Sequence, residues 1–174
     1  MKELSTWIKK LRSADSIRER THKIVDYTSI YREGSRLLAA EGEGTICIRL
    51  EEVKAFNLDL IANNALLRLS VSEHNIKLYC IYRGRFILLK ETHSSHIGLD
   101  NNPQCTYWLS FQASSRTIWF GKREPNFQNR QFSFTLPKSN KSPEQFWMNK
   151  IGSYRVDSPA VIYSTRNTID PQEA

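Results

Sequence analysis

The sequence predicts a mainly β protein, an antiparallel β-sandwich or jelly roll preceded by a short N-terminal helical arm. About eight to ten short apolar runs, roughly ten residues apart and separated by turn signals, are typical of such sandwiches. The regular strand–helix alternation of a parallel α/β protein is missing. We expect the arm and a connector at residues 1–42, the sandwich at 43–165 and a C-terminal tail at 166–174.

The clearest strand signals lie in the middle of the chain. Two aromatic-rich runs, residues 107–111 and 117–121, flank the polar tract 112–116, and residues 131–136 alternate polar with apolar side chains. Aromatic and β-branched residues favour a pleated, half-buried surface. We therefore predict three strands here, the first two joined by a turn in the polar tract.

Further strands are expected on both sides of this centre. Residues 45–50 alternate, which places Ile46, Ile48 and Leu50 on one face of a strand and Cys47 on the other. The dipeptide Arg83-Gly84 predicts a compact hairpin between residues 76–82 and 85–90. Other predicted strands are 56–61, 66–71, 154–156 and 160–163. Residues 72–75 are expected to form a turn, and residues 91–103 a polar loop.

The N-terminal arm carries one apolar stripe. Leu4, Trp7, Ile8 and Leu11 follow the i, i+3, i+4, i+7 spacing of an amphipathic helix over residues 2–12. A helix this short needs a surface on which to dock. We predict an interaction surface for the sandwich itself or a neighbouring subunit. A membrane surface is disfavoured because the stripe is narrow and acidic residues interrupt it.

The sequence also indicates the cellular compartment of the protein. No stretch approaches the roughly 20 apolar residues of a membrane span, and charges break the N-terminus where a secretory signal would be apolar. The three cysteines, Cys47, Cys80 and Cys105, are odd in number and far apart in sequence. We interpret them as buried, reduced thiols and expect an intracellular, cytoplasmic protein.

The net charge of +7 is unevenly distributed. Residues 1–36 carry +4 and residues 116–155 carry +6, while the remainder is acidic. Basic patches attract phosphates, acidic glycans or acidic protein surfaces, although each patch alone is equally well read as a solvated face. We expect weak, non-specific nucleic-acid binding at low salt that largely disappears near physiological ionic strength.

A candidate ligand site surrounds one tryptophan of the aromatic centre. An exposed indole can stack on a sugar or a base, and basic and amide side chains nearby can supply hydrogen bonds. The candidate residues are Trp119, Arg116, Lys122, Arg123, Asn126 and Arg130. Arg116 is expected at the turn, and Lys122, Arg123 and Arg130 as a rim beside Trp119. Cross-strand aromatics are also ordinary sheet core, which we favour for Trp108 and leave open for Trp119.

Sequence motifs typical of catalysis and cofactor binding are absent. The sequence has no GxSxG nucleophile elbow and no glycine-rich phosphate loop, so we predict no catalytic residue and no cofactor. His93 and His96 are three residues apart, with Asp100 and Cys105 as the nearest further ligands. We favour a polar surface loop over a metal site there, because zinc requires a fuller ligand set.

The aromatic centre resembles a known domain. Residues 107–111, YWLSF, and 118–122, IWFGK, are similar to the F/Y-W-I-S-W and I-x-V-G-x-G core of the farnesoic acid O-methyltransferase-like domain. The resemblance covers about residues 43–136, including the earlier runs 44–49, 66–71 and 77–83. Phe111 replaces the second tryptophan, and Glu124 stands where a second glycine would follow Gly121. The resemblance implies a β-sandwich recognition module rather than a methyltransferase.

Three functions remain open at this point. The first is a non-enzymatic β-sandwich module that binds a protein surface or a glycan. The second is a structural, capsid-like subunit whose basic arm contacts neighbours or nucleic acid, a function that a large closed homo-oligomer would favour. The third is an enzyme whose site is assembled in space, as triads can be.

Overall fold

The computed structural model describes residues 35–62, 65–137 and 148–169. Within these ranges the chain forms two five-stranded antiparallel sheets. The strands are β1 Arg36–Leu37, β2 Glu43–Leu50, β3 Phe56–Ile61, β4 Ala65–Tyr82, β5 Arg85–Gly98, β6 Tyr107–Gln112, β7 Thr117–Lys122, β8 Arg130–Thr135, β9 Ser153–Val156 and β10 Ala160–Thr165. The predicted antiparallel β-sandwich is confirmed. The predicted arm, with Leu4, Trp7, Ile8 and Leu11, lies outside the described residues.

The two sheets divide the strands cleanly. Sheet A has the order β1-β9-β3-β4-β5, and sheet B has the order β10-β2-β6-β7-β8. Short 3-10 turns, Phe127–Asn129 and Met148–Lys150, precede β8 and β9. No helix in the described part of the chain is long and apolar enough to cross a membrane.

The main core lies between the two sheets. Alternation in β2 and β3 points Ile46, Ile48, Leu58 and Leu60 inward, and each is at most 1% exposed. Burial of such a side chain contributes about 1.5–3 kcal/mol. The ring centroids of Phe56 and Tyr107 are 5.4 Å apart. Because Phe56 lies in β3 and Tyr107 in β6, this contact joins the two sheets.

A smaller cluster covers the other face of sheet B. Cys47, Trp108 and Tyr163 are fully buried there, and the cluster also contains Trp119 and Ile169, which are slightly exposed. Thr45 Oγ1 donates to the Asn167 carbonyl at 2.7 Å, which holds residues 167–169 against the sheet. The predicted limits at residues 43 and 165 stay a prediction, but contacts cross both of them: residues 167–169 contact sheet B, and β1 pairs with β9.

Two predicted connections differ from the structure. The Arg83-Gly84 hairpin is present, with both residues at positive φ. However, β5 continues to Gly98, so residues 91–98 are strand rather than loop, and His93 and His96 lie on that strand. The reason is tertiary pairing at both ends of the stretch: residues 91–93 pair with residues 75–77 of β4, and Gly98 pairs with Glu73, with a register shift between them. The polar side chains of residues 91–98 therefore belong to an exposed strand and not to a loop.

The long element β4 folds back on itself. The guanidinium carbon of Arg68 lies 5.9 Å from the centroid of the Phe86 ring, and Phe86 pairs with Ile81. A straight strand would separate residues 68 and 81 by about 43 Å. The register shifts between Glu73 and Asn75, and His74 has φ 62°. The chain therefore reverses at the predicted turn, and the two halves of β4 lie side by side.

A glycine makes this reversal possible. Gly98 has φ 85°, and a Cβ at this position would collide with the Ser72 carbonyl and lie 2.7 Å from the His74 amide nitrogen. No other residue fits without a shift of the backbone. As a result the outer face of sheet A, the face turned away from sheet B, continues without a gap from β9 to β5.

Candidate functional site

The outer face of sheet A is lined with polar side chains. Strand periodicity explains the pattern: Leu58 and Leu60 turn inward, so Asn57 and Asp59 turn outward. The same alternation in β4 turns Arg68, Ser70, Lys77 and Tyr79 outward. This face is the most organised polar surface in the described part of the chain, and we take it as the candidate functional site.

Asp59 is the centre of this face. Arg68 donates from Nε to Oδ1 of Asp59 at 2.8 Å and from Nη2 to Oδ2 at 3.1 Å. Arg155 donates from Nη2 to the same Oδ2 at 2.8 Å. Asp59 is only 3% exposed, and its hydrogen bond is the main reason that the pKa of Arg68 lies above its ordinary value. One buried carboxylate thus fixes two guanidinium groups.

The register of sheet A places Asp59 between the two arginines. Asp59 is opposite Arg68 in the pairing of β3 with β4, and opposite Arg155 in the pairing of β3 with β9. Side chains directly opposite each other on antiparallel strands lie within contact distance. The positions of the two arginines are therefore set by the backbone ladder.

A second polar row runs beside the first. The amide nitrogen Nδ2 of Asn57 donates to Oδ2 of Asp157 at 2.8 Å, and Oγ of Ser70 donates to Oδ1 of Asn57 at 2.5 Å. Further along, Glu91 accepts from Nδ2 of Asn75 at 3.2 Å. These bonds fix the orientation of each side chain before any ligand binds.

Glu91 closes this row at β5. Its Oε2 lies 3.6 Å from Nζ of Lys77 and 2.9 Å from Nε2 of His93. Desolvation raises the pKa of Glu91, but the hydrogen bond from Asn75 and the charges of Lys77 and His93 outweigh it and hold that pKa below its ordinary value. Glu91 therefore stays ionised at neutral pH.

An exposed aromatic edge borders the polar rows. Phe86 is 62% exposed, and its ring lies edge-on to Tyr79 with centroids 6.2 Å apart. Leu88 is opposite Tyr79 and is also exposed. The Arg68 guanidinium thus bridges the polar centre and an open ring face. A contiguous exposed apolar patch bordered by polar side chains is typical of an interaction site.

Three of the sequence-predicted site residues do come together. Lys122, Arg123 and Arg130 line one cleft of about 370 Å³ at the far end of β7. Arg116 lies at the opposite end of that strand, in the turn before β7, where its Nε donates to the Leu136 carbonyl at 3.3 Å. The length of β7 keeps Arg116 about 20 Å from the other three.

The remaining two predicted residues have structural contacts. Trp119 is 8% exposed and lies edge-on to Phe127 with centroids 6.2 Å apart, so it offers little ring face to a ligand. Asn126 caps the 3-10 turn, where Oδ1 accepts from the Asn129 amide at 3.0 Å. Trp108 is fully buried, as we favoured. A ligand role for Trp119 and Asn126 stays a prediction.

No metal site is visible in the part of the chain that the structure describes, where no three His, Cys, Asp or Glu side chains group together. Cys47, Cys80 and Cys105 are buried, and none of them forms a disulfide. Burial raises the pKa of Cys47 to about 12 and that of Cys105 to about 11. Both thiols are therefore protonated at neutral pH and poor nucleophiles.

Sequence reasoning missed the outer face of sheet A. A signal was available: the polar residues Asn57 and Asp59 alternate with leucines in β3, as Arg68 and Ser70 do in β4. It predicts that these residues share a face, but not which strands are neighbours. The partner Arg155 is 96 residues beyond Asp59, and only the fold brings it near.

Comparisons with known proteins concern the fold. No protein-family model and no curated protein matches the sequence, and the resemblance to the farnesoic acid O-methyltransferase-like domain stays a prediction. Sheep galectin-11, in complex with glycerol, is 9% identical with a TM-score of 0.56, over 79% of this chain and 100% of that one. Galectin LEC-6 from Caenorhabditis elegans is 9% identical with a TM-score of 0.51, over 78% and 91%. This chain is a galectin-like β-sandwich in fold.

Proposed function

We propose that this protein is a non-enzymatic glycan-binding module and that its site is the outer face of sheet A. One observation carries the proposal: two arginines, Arg68 and Arg155, are fixed by the buried Asp59 beside the exposed ring of Phe86. The galectin-like fold is consistent with it.

The chemistry of this face suits a saccharide. A sugar presents hydroxyl groups, which donate and accept hydrogen bonds, around a patch of C–H groups that packs on an aromatic ring. Arg68 and Arg155 have side chains that are 26% and 38% exposed and retain guanidinium donors not used by Asp59. Because the ion pairs fix these groups in advance, binding loses less side-chain entropy.

Charge balance favours a neutral saccharide. The positive charges of Arg68, Arg155 and Lys77 are matched by three carboxylates, of Asp59, Asp157 and Glu91. An anionic sugar would meet a surface whose cations are already paired. A neutral sugar needs only the unused donors and acceptors.

A protein ligand is the second candidate, and one observation favours it. Phe86, Ile87 and Leu88 are consecutive, 62%, 41% and 49% exposed, and lie on β5 at the edge of sheet A. Edge strands with apolar side chains can pair with an extended segment of another protein. A saccharide contacts Phe86 and Arg68, whereas edge pairing depends on Ile87 as much as on Phe86.

A glycan array followed by calorimetric titration of the best binder tests the proposal. We expect Arg68→Gln and Phe86→Ala each to weaken binding at least tenfold, since each removes a direct contact. The matched controls are Arg83→Gln, at the hairpin tip, and Leu37→Ala, an exposed leucine at the other edge of sheet A. Both controls should bind normally. An array without a reproducible neutral ligand, or full binding by both site variants, would refute the proposal.

A further inference from the structure

A basic cleft lies on a different part of the molecule from sheet A's outer face. It is formed where the end of β7 and the start of β8 approach the edge strand β5, and its volume is about 370 Å³. Its lining residues include Lys122, Arg123, Asn129 and Arg130. Three of these are cations, and none of them is acidic.

The cations of this cleft are only loosely paired. Nζ of Lys122 is 3.7 Å from Oδ2 of Asp100, which is a long ion pair. Arg130 is stacked 3.7 Å above the Phe127 ring and donates from Nη1 to the Phe127 carbonyl, which fixes it without neutralising it. Within the described residues, no carboxylate pairs with the Arg123 side chain. Two guanidinium groups therefore keep their charge available to an anion.

The backbone at Arg123 is strained. Its φ is 73°, and its amide nitrogen donates to the Thr106 carbonyl at 2.7 Å. A left-handed conformation costs a non-glycine residue about 1 kcal/mol or more, and such strain occurs preferentially at functional positions. The hydrogen bond to Thr106 holds the Arg123 side chain at the border between this cleft and a neighbouring cavity.

The neighbouring cavity shares two residues with the cleft. Its volume is about 490 Å³, and Arg123 and Asn129 belong to both. In its wall, the hydroxyl of Thr106 is completely buried and has no hydrogen-bond partner in the described part of the chain. Since buried hydroxyls are normally paired, this group points to a polar ligand. Asp100 and Glu124 also line the cavity and can accept hydrogen bonds from hydroxyls.

We propose that the cleft and cavity together bind a sugar ester that carries one phosphate or sulfate group. Arg123 and Arg130 hold the oxyanion in the cleft, where guanidinium groups match its geometry. The hydroxylated remainder lies in the cavity between Thr106 and the two carboxylates. Asp100 and Glu124 also repel a second anionic group, which limits the ligand to one charged end. This site is independent of the glycan face.

Titration of ¹⁵N-labelled protein with glucose 6-phosphate and glucose 6-sulfate tests the proposal, with glucose and inorganic phosphate as references. Ionic strength is held constant with sodium chloride. We expect amide shifts at Thr106, Arg123 and Asn129, with both esters binding at least tenfold more tightly than glucose or inorganic phosphate. The phosphate and sulfate arms show which ester the site prefers. Arg123→Gln should weaken ester binding at least tenfold.

Arg83→Gln is the matched control, because Arg83 is also an exposed arginine with positive φ, 50°, and lies on the β4–β5 turn. It should bind the esters normally, as should Phe86→Ala, which tests the glycan face separately. If Arg123→Gln does not fold, Arg130→Gln replaces it. Esters that bind no better than glucose would overturn the oxyanion site, and inorganic phosphate that binds as well as the esters would overturn the role of the cavity. An equal loss in Arg83→Gln would overturn the assignment to Arg123.

Discussion

The outer face of sheet A and the basic cleft both present arginines to solvent, but in opposite states. Arg68 and Arg155 share the carboxylate of Asp59, whereas the Arg123 side chain has no carboxylate partner in the described structure. The shared carboxylate fixes both guanidinium groups and offsets part of their charge, whereas an unpaired guanidinium attracts anions over a longer range. The same residue type is therefore suited to a neutral ligand where a carboxylate fixes it, and to a charged ligand where no carboxylate pairs with it.

The two regions also differ in what positions their side chains. On sheet A, cross-strand register sets Asp59 opposite both arginines. In the cleft, strand ends and the connection between β7 and β8 carry the cations, and a strained backbone places Arg123. We therefore expect the sheet face to be rigid and insensitive to salt, and the cleft to depend strongly on salt.

Gly121→Ala should have the largest effect, and it acts on the cleft side of the comparison. A Cβ at this position would collide with the Asn129 carbonyl and lie 2.5 Å from Cζ2 of the buried Trp108. Such overpacking costs about 3 kcal/mol, measured as a loss in the free energy of unfolding in urea. Gly152→Ala is the control, because an added Cβ there would lie 3.7 Å from Cγ of Glu41, an ordinary van der Waals contact. Similar stability for the two variants would show that the backbone at Asn129 shifts to accommodate the added methyl group.

Asp59→Ala is the corresponding change on sheet A. It leaves Arg68 and Arg155 without their shared carboxylate and should lower the free energy of unfolding by about 2 kcal/mol, less than for a fully buried pair because both arginines are partly exposed. Glu52→Ala, at an exposed bend, should change stability by less than about 0.5 kcal/mol. A urea titration compares them, and equal stabilities would mean that Asp59 does not organise this face.

Salt dependence separates the two regions directly. Binding of a short DNA duplex, measured by fluorescence anisotropy, should be weak and fall with the logarithm of salt with a slope of about −2.7, if three cations contact phosphates. Arg123→Gln should reduce the slope by about 1, while Arg68→Gln should leave it unchanged. Tight binding that persists at ~0.15 M salt would instead make nucleic acid the main partner.

The smallest expected effect concerns Cys105, which lines the cavity beside Arg123. Burial and then Asp100 raise the pKa of this thiol, while the amide of Arg123 and the charges of Lys122 and Arg123 lower it, with a net value of about 11. Removing the charge in Arg123→Gln should raise the pKa further and slow alkylation by iodoacetamide two- to threefold at pH 9, because the thiolate reacts. Cys47, read by mass spectrometry in the same sample, controls for unfolding. Faster alkylation of Cys105 alone would contradict the charge assignment.

The sequence predicted local features better than distant contacts. Alternation in residues 45–50 correctly separated Ile46 and Ile48 from Cys47, and Arg83-Gly84 correctly marked a hairpin, because these signals are contained within a few residues. The polar stretch 91–98 was wrongly interpreted as loop, since its strand conformation depends on pairing with β4. The link from Asp59 to Arg155 required knowledge that β3 and β9 are neighbours.

The candidate sites show the same limit. The sequence predicted that Lys122, Arg123 and Arg130 lie close together, because they stand at the end of β7 and the start of β8. The burial of Trp119 was left open, since sequence alternation does not show that Phe127 packs against it. The excess of basic residues in the sequence indicated the cleft. The outer face of sheet A has as many acidic as basic residues, so net charge did not indicate it.

The most direct test of the central claim is a chemical-shift map of the bound glycan on the ¹⁵N-labelled protein. With the neutral saccharide chosen by the array, we expect shifts at Asn57, Arg68, Tyr79 and Phe86, including the Nε–H resonance of Arg68, and none at Arg123. Shifts confined to the cleft around Arg123, or spread over the outer face of sheet B, would contradict a saccharide site on sheet A.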